Sequence, residues 1–484
     1  MRIAFVAAEF TPLAKTGGLA DVSSALTRFL HRRGADVRAF MPLYARIDRA
    51  ALGLAAVDFL QGVPLALGPH RYVINVLTGK LPNSDARLYF IDCPVLYGRP
   101  GVYSPDPDEH LRFLVLTRAA IECCQRMGFA PDIFHCNDWH TAFAPLFLKS
   151  VYSWDRLFAR TRSVLTIHNI GYQGVFGAAA RHDLGLGDST HLLHQDDLAL
   201  GRINSLKHGV LYADSVTTVS PTYAREIATP QYGMGLDGVM RARSDGVVGI
   251  LNGVDYGEWN PQTDAYLPAH YDARNLAGKE KVKKVLHERL GLAYARETPL
   301  IGLISRLTVQ KGIDLLYEAL PRTLTARNCN FVALGSGESH YEEFFERLAR
   351  GFPRRVAYYR GYSEEFAHLI EGGSDMFLMP SLYEPCGLNQ MYSLRYGTVP
   401  IVRRTGGLAD SVQIYDPRSG EGTGIVFDDF NVEAVSWAIS MAVDLFQNRR
   451  RWNRIVRNGL ARNFSWEHQG EEYIALYERL MAGR

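Results

Sequence analysis

Short apolar runs alternate with helical amphipathic stretches along almost the whole chain. Residues 2–8 form a buried run, and a loop leads to Gly18. An amphipathic helix then spans about Leu19 to Arg33, Gly34 stops it, and Val37 to Met41 begins the next strand. Strand, glycine-bearing loop, helix and strand open a doubly wound α/β domain. Between about Val57 and Ile91 the pattern alternates apolar and polar positions with turn residues, predicting short strands or hairpins inserted in that domain. Further strands end at Asp132-Ile133-Phe134-His135, at Val164-Leu165-Thr166-Ile167 and at Ser215 to Val219. After the last, Ser220-Pro221 has the form of a helix N-cap with proline in the first turn. Residues 229–246 are rich in glycine and polar groups and read as a mobile loop.

The pattern restarts past the turn at Asn252-Gly253-Val254-Asp255. A charged helix covers about Gly278 to Leu290. Strands follow at Pro299–Ile304, Asn330–Leu334, Val356–Tyr359, Met376–Met379 and Val399–Val402, each running into a polar or glycine-bearing loop. A helix is expected over Ile313–Leu320, and another from Pro385 to about Tyr396. A last helix reaches Met481. The expected division is residues 1–252, residues 253–463, and a terminal segment, 464–484, packing back on the first domain. A chain of 484 residues is too long for one core.

Composition changes this picture little. A hydrophobic share of 47% with 21% charged residues is that of an ordinary globular protein, and a formal charge of +2 points to no nucleic-acid partner. No apolar run approaches the length of a bilayer span. The apolar start, Arg2 to Ala7, is too short for a signal peptide and meets Glu9, Pro12 and Lys15 at once, so it reads as a first strand. Six scattered cysteines contain no C-x-x-C pair, which suggests neither a disulfide framework nor zinc and makes a reducing cytoplasm the natural compartment.

One motif occurs twice: Lys15-Thr16-Gly17-Gly18-Leu19-Ala20-Asp21 and Arg404-Thr405-Gly406-Gly407-Leu408-Ala409-Asp410. In each, a cation precedes a glycine pair and an apolar run able to open a helix. Such a turn brings backbone N–H groups and a positive helix end to an anion. The pair reads as two halves of a clamp, from two domains, on one phosphorylated ligand; two ordinary Gly-Gly turns are the plainer alternative. G-x-G-x-x-G is missing after the first strand, which disfavours a nicotinamide oxidoreductase.

Other polar residues follow strand ends, where α/β sheets bind ligands: Asn137-Asp138-Trp139-His140, His168-Asn169, Arg306 with Lys311, and Glu384. Arg306 and Lys311 suit an anion, and Tyr362 suits stacking on a base. Glu384 is expected beside a helix N-terminus. Asp106-Pro107-Asp108 mimics a metal-binding D-x-D, but it sits in a proline-rich loop with no strand leading in and reads as a solvated acidic turn. His135 and His140 lack a familiar ligand spacing, so no metal is proposed. The arginines at 449–451, 454 and 457 read as a solvated helix face.

Together, KTGGLADV, NDWH, TIHNIGYQG, LYADSVTTVSPTYAREI, LNGVD, SRLTVQKG, PSLYEPCGLNQ and VRRTGGLADSV closely resemble the bacterial glycogen synthases and plant starch synthases through nearly the whole chain. The resemblance implies a GT-B fold, with two Rossmann-like domains facing a deep cleft, and no cofactor. It implies transfer of glucose from ADP-glucose to the non-reducing end of an α-1,4-glucan with retention of configuration. Lys15, Gly17 and Gly18 would contact the donor phosphates, Arg306 and Lys311 would neutralise the leaving diphosphate, and Thr405, Gly406 and Gly407 would cradle phosphate. Glu384 and the backbone at Cys386, Gly387 and Leu388 would hold the glucose hydroxyls. His168 would lie by the reacting sugar with Asp138 and Asn169 near it; Asp21 and Asn252 fall on the same acceptor side, and Tyr362 would face the base. Tyr392 stands where many related enzymes carry a second glutamate, and Leu382 where many have arginine. The alternatives are UDP-glucose or another acceptor, and a non-catalytic glucan- or nucleotide-binding regulator.

Overall fold

A computed structural model describes residues 1–483. The chain divides into two compact units, one comprising Met1–Gly253 with Trp466–Arg484, the other Val254–Ser465.

The first unit is built on a ten-stranded sheet. Its order is Val247–Gly249, Ser215–Thr218, Arg162–Ile167, Ile133–Asn137, Arg2–Val6, Asp36–Pro42, Arg87–Asp92, His70–Lys80 and Ala55–Ala56, with Val63–Leu67 paired beside His70–Lys80. The first seven run parallel. The insertion, Ala55 to Lys80, joins antiparallel. Helices cover the parallel strands, which explains their unbroken apolar runs: Ile3 to Ala8 are fully buried. The helix Gly18–Arg32 follows the first strand. The terminal helix, Trp466–Ala482, lies against it, with Arg32 paired to Glu467 at 2.7 Å. Deeper in, the Tyr477 hydroxyl meets His135 Nδ1 at 2.6 Å. His135 Nε2 meets the Thr166 hydroxyl at 2.6 Å, and Thr166 meets Thr217. This buried chain ties the last helix to three strands.

The second unit carries six parallel strands in the order Val356–Arg360, Asn330–Gly335, Leu300–Ile304, Met376–Met379, Val399–Arg403 and Ile425–Phe427. Its core sits between sheet and helices around Leu303, Phe331, Phe345, Ile401, Ile439 and Trp452. Strand order reverses at Leu300–Ile304 and Met376–Met379, the kind of switch point where such sheets bind ligands.

Three local expectations need correction. Residues 229–246 contain a short helix, Asp237–Arg241. A helix begins only at Leu316 and runs to Ala326 with Pro321 inside it, preceded by a single tight turn at Ile313–Leu315. The helix expected from Pro385 starts at Asn389 and ends at Arg395, because Pro385 to Leu388 are taken up by a turn with Gly387 at φ 69°.

Candidate functional site

Each unit presents its own polar cluster beyond the carboxyl ends of its strands. In the first, the loop after Arg2–Val6 turns back through Lys15 to Gly18. Lys15 Nζ lies 2.9 Å from Asp21, in the first turn of the helix that the loop opens. The loop is braced from below by Glu9, which is 2% exposed. Its carboxylate accepts the Thr16 backbone N–H at 2.5 Å, the Thr16 hydroxyl at 2.7 Å and the Tyr103 hydroxyl. Tyr103 in turn stacks on His140, with ring centroids 4.9 Å apart.

Beside it, Asp138 follows Ile133–Asn137 with a left-handed backbone, φ 53°, a costly conformation for a residue other than glycine. That twist aims Oδ1 at the backbone N–H of His168, 2.7 Å away, and of Asn169, at 3.4 Å. Burial pushes the Asp138 carboxyl up to about 7, offset in part by those two N–H groups and reinforced by the charge on Glu9. His168 is buried, which lowers its pKa to about 3, so its imidazole is neutral. The Asn137 amide nitrogen donates to Val6 O, leaving Oδ1 to accept from His168 Nε2 at 2.9 Å. The proton therefore sits on Nε2, and Nδ1 is the basic atom. Asn169 caps its own turn by accepting the Gly171 N–H. Asn252 is 4% exposed, and its side-chain oxygen makes no hydrogen bond within the described residues. An unmet buried acceptor costs about 1–3 kcal/mol.

In the second unit three loops converge at the switch point. Gly312 closes the turn after Lys311 at φ 68°, against Pro380 O. Lys311 Nζ reaches Glu384 Oε2 at 2.6 Å, and the Ser381 hydroxyl donates to the same oxygen at 2.9 Å. Glu384 is 5% exposed and is held by these two groups rather than by a helix end, as the later start of the Asn389–Arg395 helix requires. Gln390 spans the turn that follows, donating to Cys386 O at 3.0 Å and Gly387 O at 2.9 Å. Leu388 precedes the helix as its N-cap. The third loop presses on this turn: the Gly407 N–H donates to Glu384 O at 3.1 Å, and a Cβ on Gly406 would lie 1.9 Å from the same oxygen. Thr405 is fully buried there. Arg404, the expected cation of this copy, is held by Asp428 at 2.5 Å. Arg306 and Tyr362 are exposed, and the Tyr362 hydroxyl donates to Glu364 at 2.5 Å.

The structure thus joins Lys15 with Asp21 and Asp138 with His168 and Asn169 in the first unit. In the second it joins Lys311 with Glu384 and the Gly406-Gly407 turn. Glu9, Tyr103, Ser381 and Gln390 escaped the sequence reading as site residues. Glu9 carried one usable signal, a carboxylate just past the end of the first strand. His135, read with the polar strand ends, is instead fully buried mid-strand and structural. The acidic turn at Asp106 and Asp108 is closed by Arg99, at 3.0 Å and 2.5 Å.

Two doubly wound units with ligand-type loops at both carboxyl edges define a glycosyltransferase of the GT-B fold. Residues 2–242 match the family described as starch synthase catalytic domain, and residues 291–459 match glycosyl transferases group 1. The catalytic domain of starch synthase IV from Arabidopsis thaliana, solved bound to ADP and acarbose, superposes with a TM-score of 0.92 at 35% identity over 99% of each chain. Glycogen synthase 1 of Geobacter sulfurreducens is 43% identical over all of this chain and 97% of its own. The glycogen synthase of Thermotoga maritima is 40% identical over 100% and 99%. The chain belongs to the glycogen synthase family and is a glucosyltransferase acting with a nucleotide-sugar donor and a glucan acceptor. Among the described residues no helix is long and apolar enough to cross a membrane.

Proposed function

We propose that the enzyme elongates an α-1,4-glucan at its non-reducing end with glucose from ADP-glucose, retaining configuration at the anomeric carbon. The observation that carries this reading is the Lys311–Glu384–Ser381 cluster packed against the Gly406-Gly407 turn, at the switch point of a parallel sheet. The ADP held by the Arabidopsis relative supports the choice of nucleotide. Arg306 and Lys311 neutralise the diphosphate as it leaves, and Thr405 with the two glycines supports the phosphates. Lys15 with Gly17 and Gly18 contacts the same donor phosphates. Glu384 fixes Lys311 and, with the backbone at Cys386, Gly387 and Leu388, receives the glucose hydroxyls. Tyr362 stacks on the base. Asp21, Asp138, His168, Asn169 and Asn252 serve the sugar and acceptor side.

In the reaction, the acceptor's 4-hydroxyl oxygen bonds to the anomeric carbon as the bond from that carbon to the diphosphate oxygen breaks. The hydroxyl proton passes to the departing diphosphate on the same face of the sugar. Fixed positive charge at the leaving group lowers the barrier because the donors are already oriented before charge develops. All six cysteines are free and buried, which supports a reducing cytoplasm.

The test is incubation with ADP-glucose or UDP-glucose, each radiolabelled in the sugar, and glycogen. Label in polymer, released by an α-1,4-specific exo-hydrolase and supplied preferentially by ADP-glucose, is the expected result. Label from UDP-glucose alone overturns the nucleotide assignment, and a trapped glucosyl-enzyme on a carboxylate overturns same-face attack.

A further inference from the structure

Glu364 and His368 lie one turn apart on the helix Glu364–Gly373, and Glu258 comes from the loop before Trp259. One oxygen of each carboxylate and a ring nitrogen of His368 all lie within 4.8 Å of one another. The spacing of four residues puts Glu364 and His368 on one helix face, as in helical metal-binding pairs.

His368 is set up unusually. The ring is 1% exposed and stacks on Trp259, with centroids 3.8 Å apart and planes 12° from parallel. Its Nδ1 meets Asp264 Oδ2 at 2.7 Å. Asp264 is itself anchored by the Tyr396 hydroxyl at 2.6 Å and by the Tyr266 backbone N–H at 2.9 Å. The ring orientation and tautomer are therefore locked from behind. Nε2, on the opposite side, is buried, makes no hydrogen bond among the described residues, and faces Glu364 Oε1 at 3.5 Å. A carboxylate fixing one imidazole nitrogen so that the other points at acidic groups is the outer-shell arrangement that orients histidine toward a metal ion.

We propose that Glu258, Glu364 and His368 form a binding site for a divalent transition-metal ion of the zinc, cobalt or manganese type. One imidazole with two carboxylates matches that class, whereas magnesium and calcium favour all-oxygen sites. Glu258 is exposed and Glu364 is partly so, which gives the ion a path from solvent. Glu364 also accepts the Tyr362 hydroxyl, so an ion here bears on the orientation of that exposed ring. The test of this site uses no substrate.

The full-length protein, stripped with a chelator, is titrated with Co²⁺ alone by calorimetry and visible absorption, and then with Zn²⁺. The expected result is saturable binding of one equivalent, with cobalt d–d bands and no thiolate charge-transfer absorption. Glu258→Gln and His368→Gln should each weaken binding at least about tenfold, since even outer-shell losses cost 10–100-fold. Glu258 is exposed, so its variant separates ligand loss from misfolding. Absence of saturable binding overturns the proposal. So does binding that both variants leave intact, or a thiolate band placing the ion on a cysteine.

Discussion

The two copies of Thr-Gly-Gly-Leu-Ala-Asp do different physical work. In the first unit, Gly17 has extended backbone at φ −163°, and neither it nor Gly18 has an atom within 4 Å of where a Cβ would stand. That loop is open, held from one side by Glu9 and followed by a fifteen-residue helix. In the second, Gly406 sits at φ 43°, and Cβ atoms on Gly406 and Gly407 would meet backbone at 1.9 Å and 2.2 Å. The helix there is only six residues long, and the loop is wedged against the Glu384–Cys386 turn. The first pair of glycines leaves room for something to approach; the second allows two loops to touch. An identical motif therefore does not imply an identical task, and each copy has its own failure mode.

The strongest test acts on the locked half. Lys311→Ala removes the cation bonded to Glu384, and turnover should fall about 10²–10³-fold, the loss typical of one preorganised charge-stabilising donor. An unchanged melting temperature with near-normal turnover would detach Lys311 from catalysis. In the open half, the buried Asp138 offers a pH test. Its pKa is raised, so between about pH 4 and 7 the folded chain binds more protons at this group than the unfolded chain does. The contribution of this group to stability is therefore present at the acid end and is lost as pH rises through that window. Asp138→Asn should remove this slope, gaining on the parent by a few kcal/mol toward pH 7, at about 1.4 kcal/mol per unit. Melting curves across that range, parent against variant, measure it.

The glycines test the comparison directly. Gly407→Ala should destabilise the second unit by about 1–3 kcal/mol, the range for forced overpacking, seen as a lower melting transition. Glu9→Gln places an amide where three donors converge, loosening the open loop. A donor KM roughly tenfold higher, about 1.4 kcal/mol, with glucan KM unchanged, is expected. In a Lys15→Ala background the same change should add little, because Glu9 acts through that loop. Gly17→Ala should be the mildest, within about 1 kcal/mol of the parent, since alanine adopts that extended backbone and narrows the unfolded ensemble but caps the helix less well than glycine. Equal destabilisation by Gly17→Ala and Gly407→Ala would erase the distinction between the copies.

Much of this was legible in the residues. Runs such as Leu300–Ile304 and Met376–Met379 are apolar on both faces because helices cover both faces of a parallel sheet, so periodicity and length locate them. Residues just past strand ends, among them Asp138, His168, Lys311 and Glu384, were identifiable because topology sends those ends to one edge. Tertiary structure alone decided their partners. That Lys311 bonds Glu384, 73 positions away, that Glu9 grips Thr16 and Tyr103, and that Arg404 turns to Asp428 depends on loops brought together by strand order. No local pattern encodes those meetings. The same holds for the glycine pairs: the sequence marks where the backbone is free to turn, but only the packed neighbours determine whether that freedom admits a ligand or another loop.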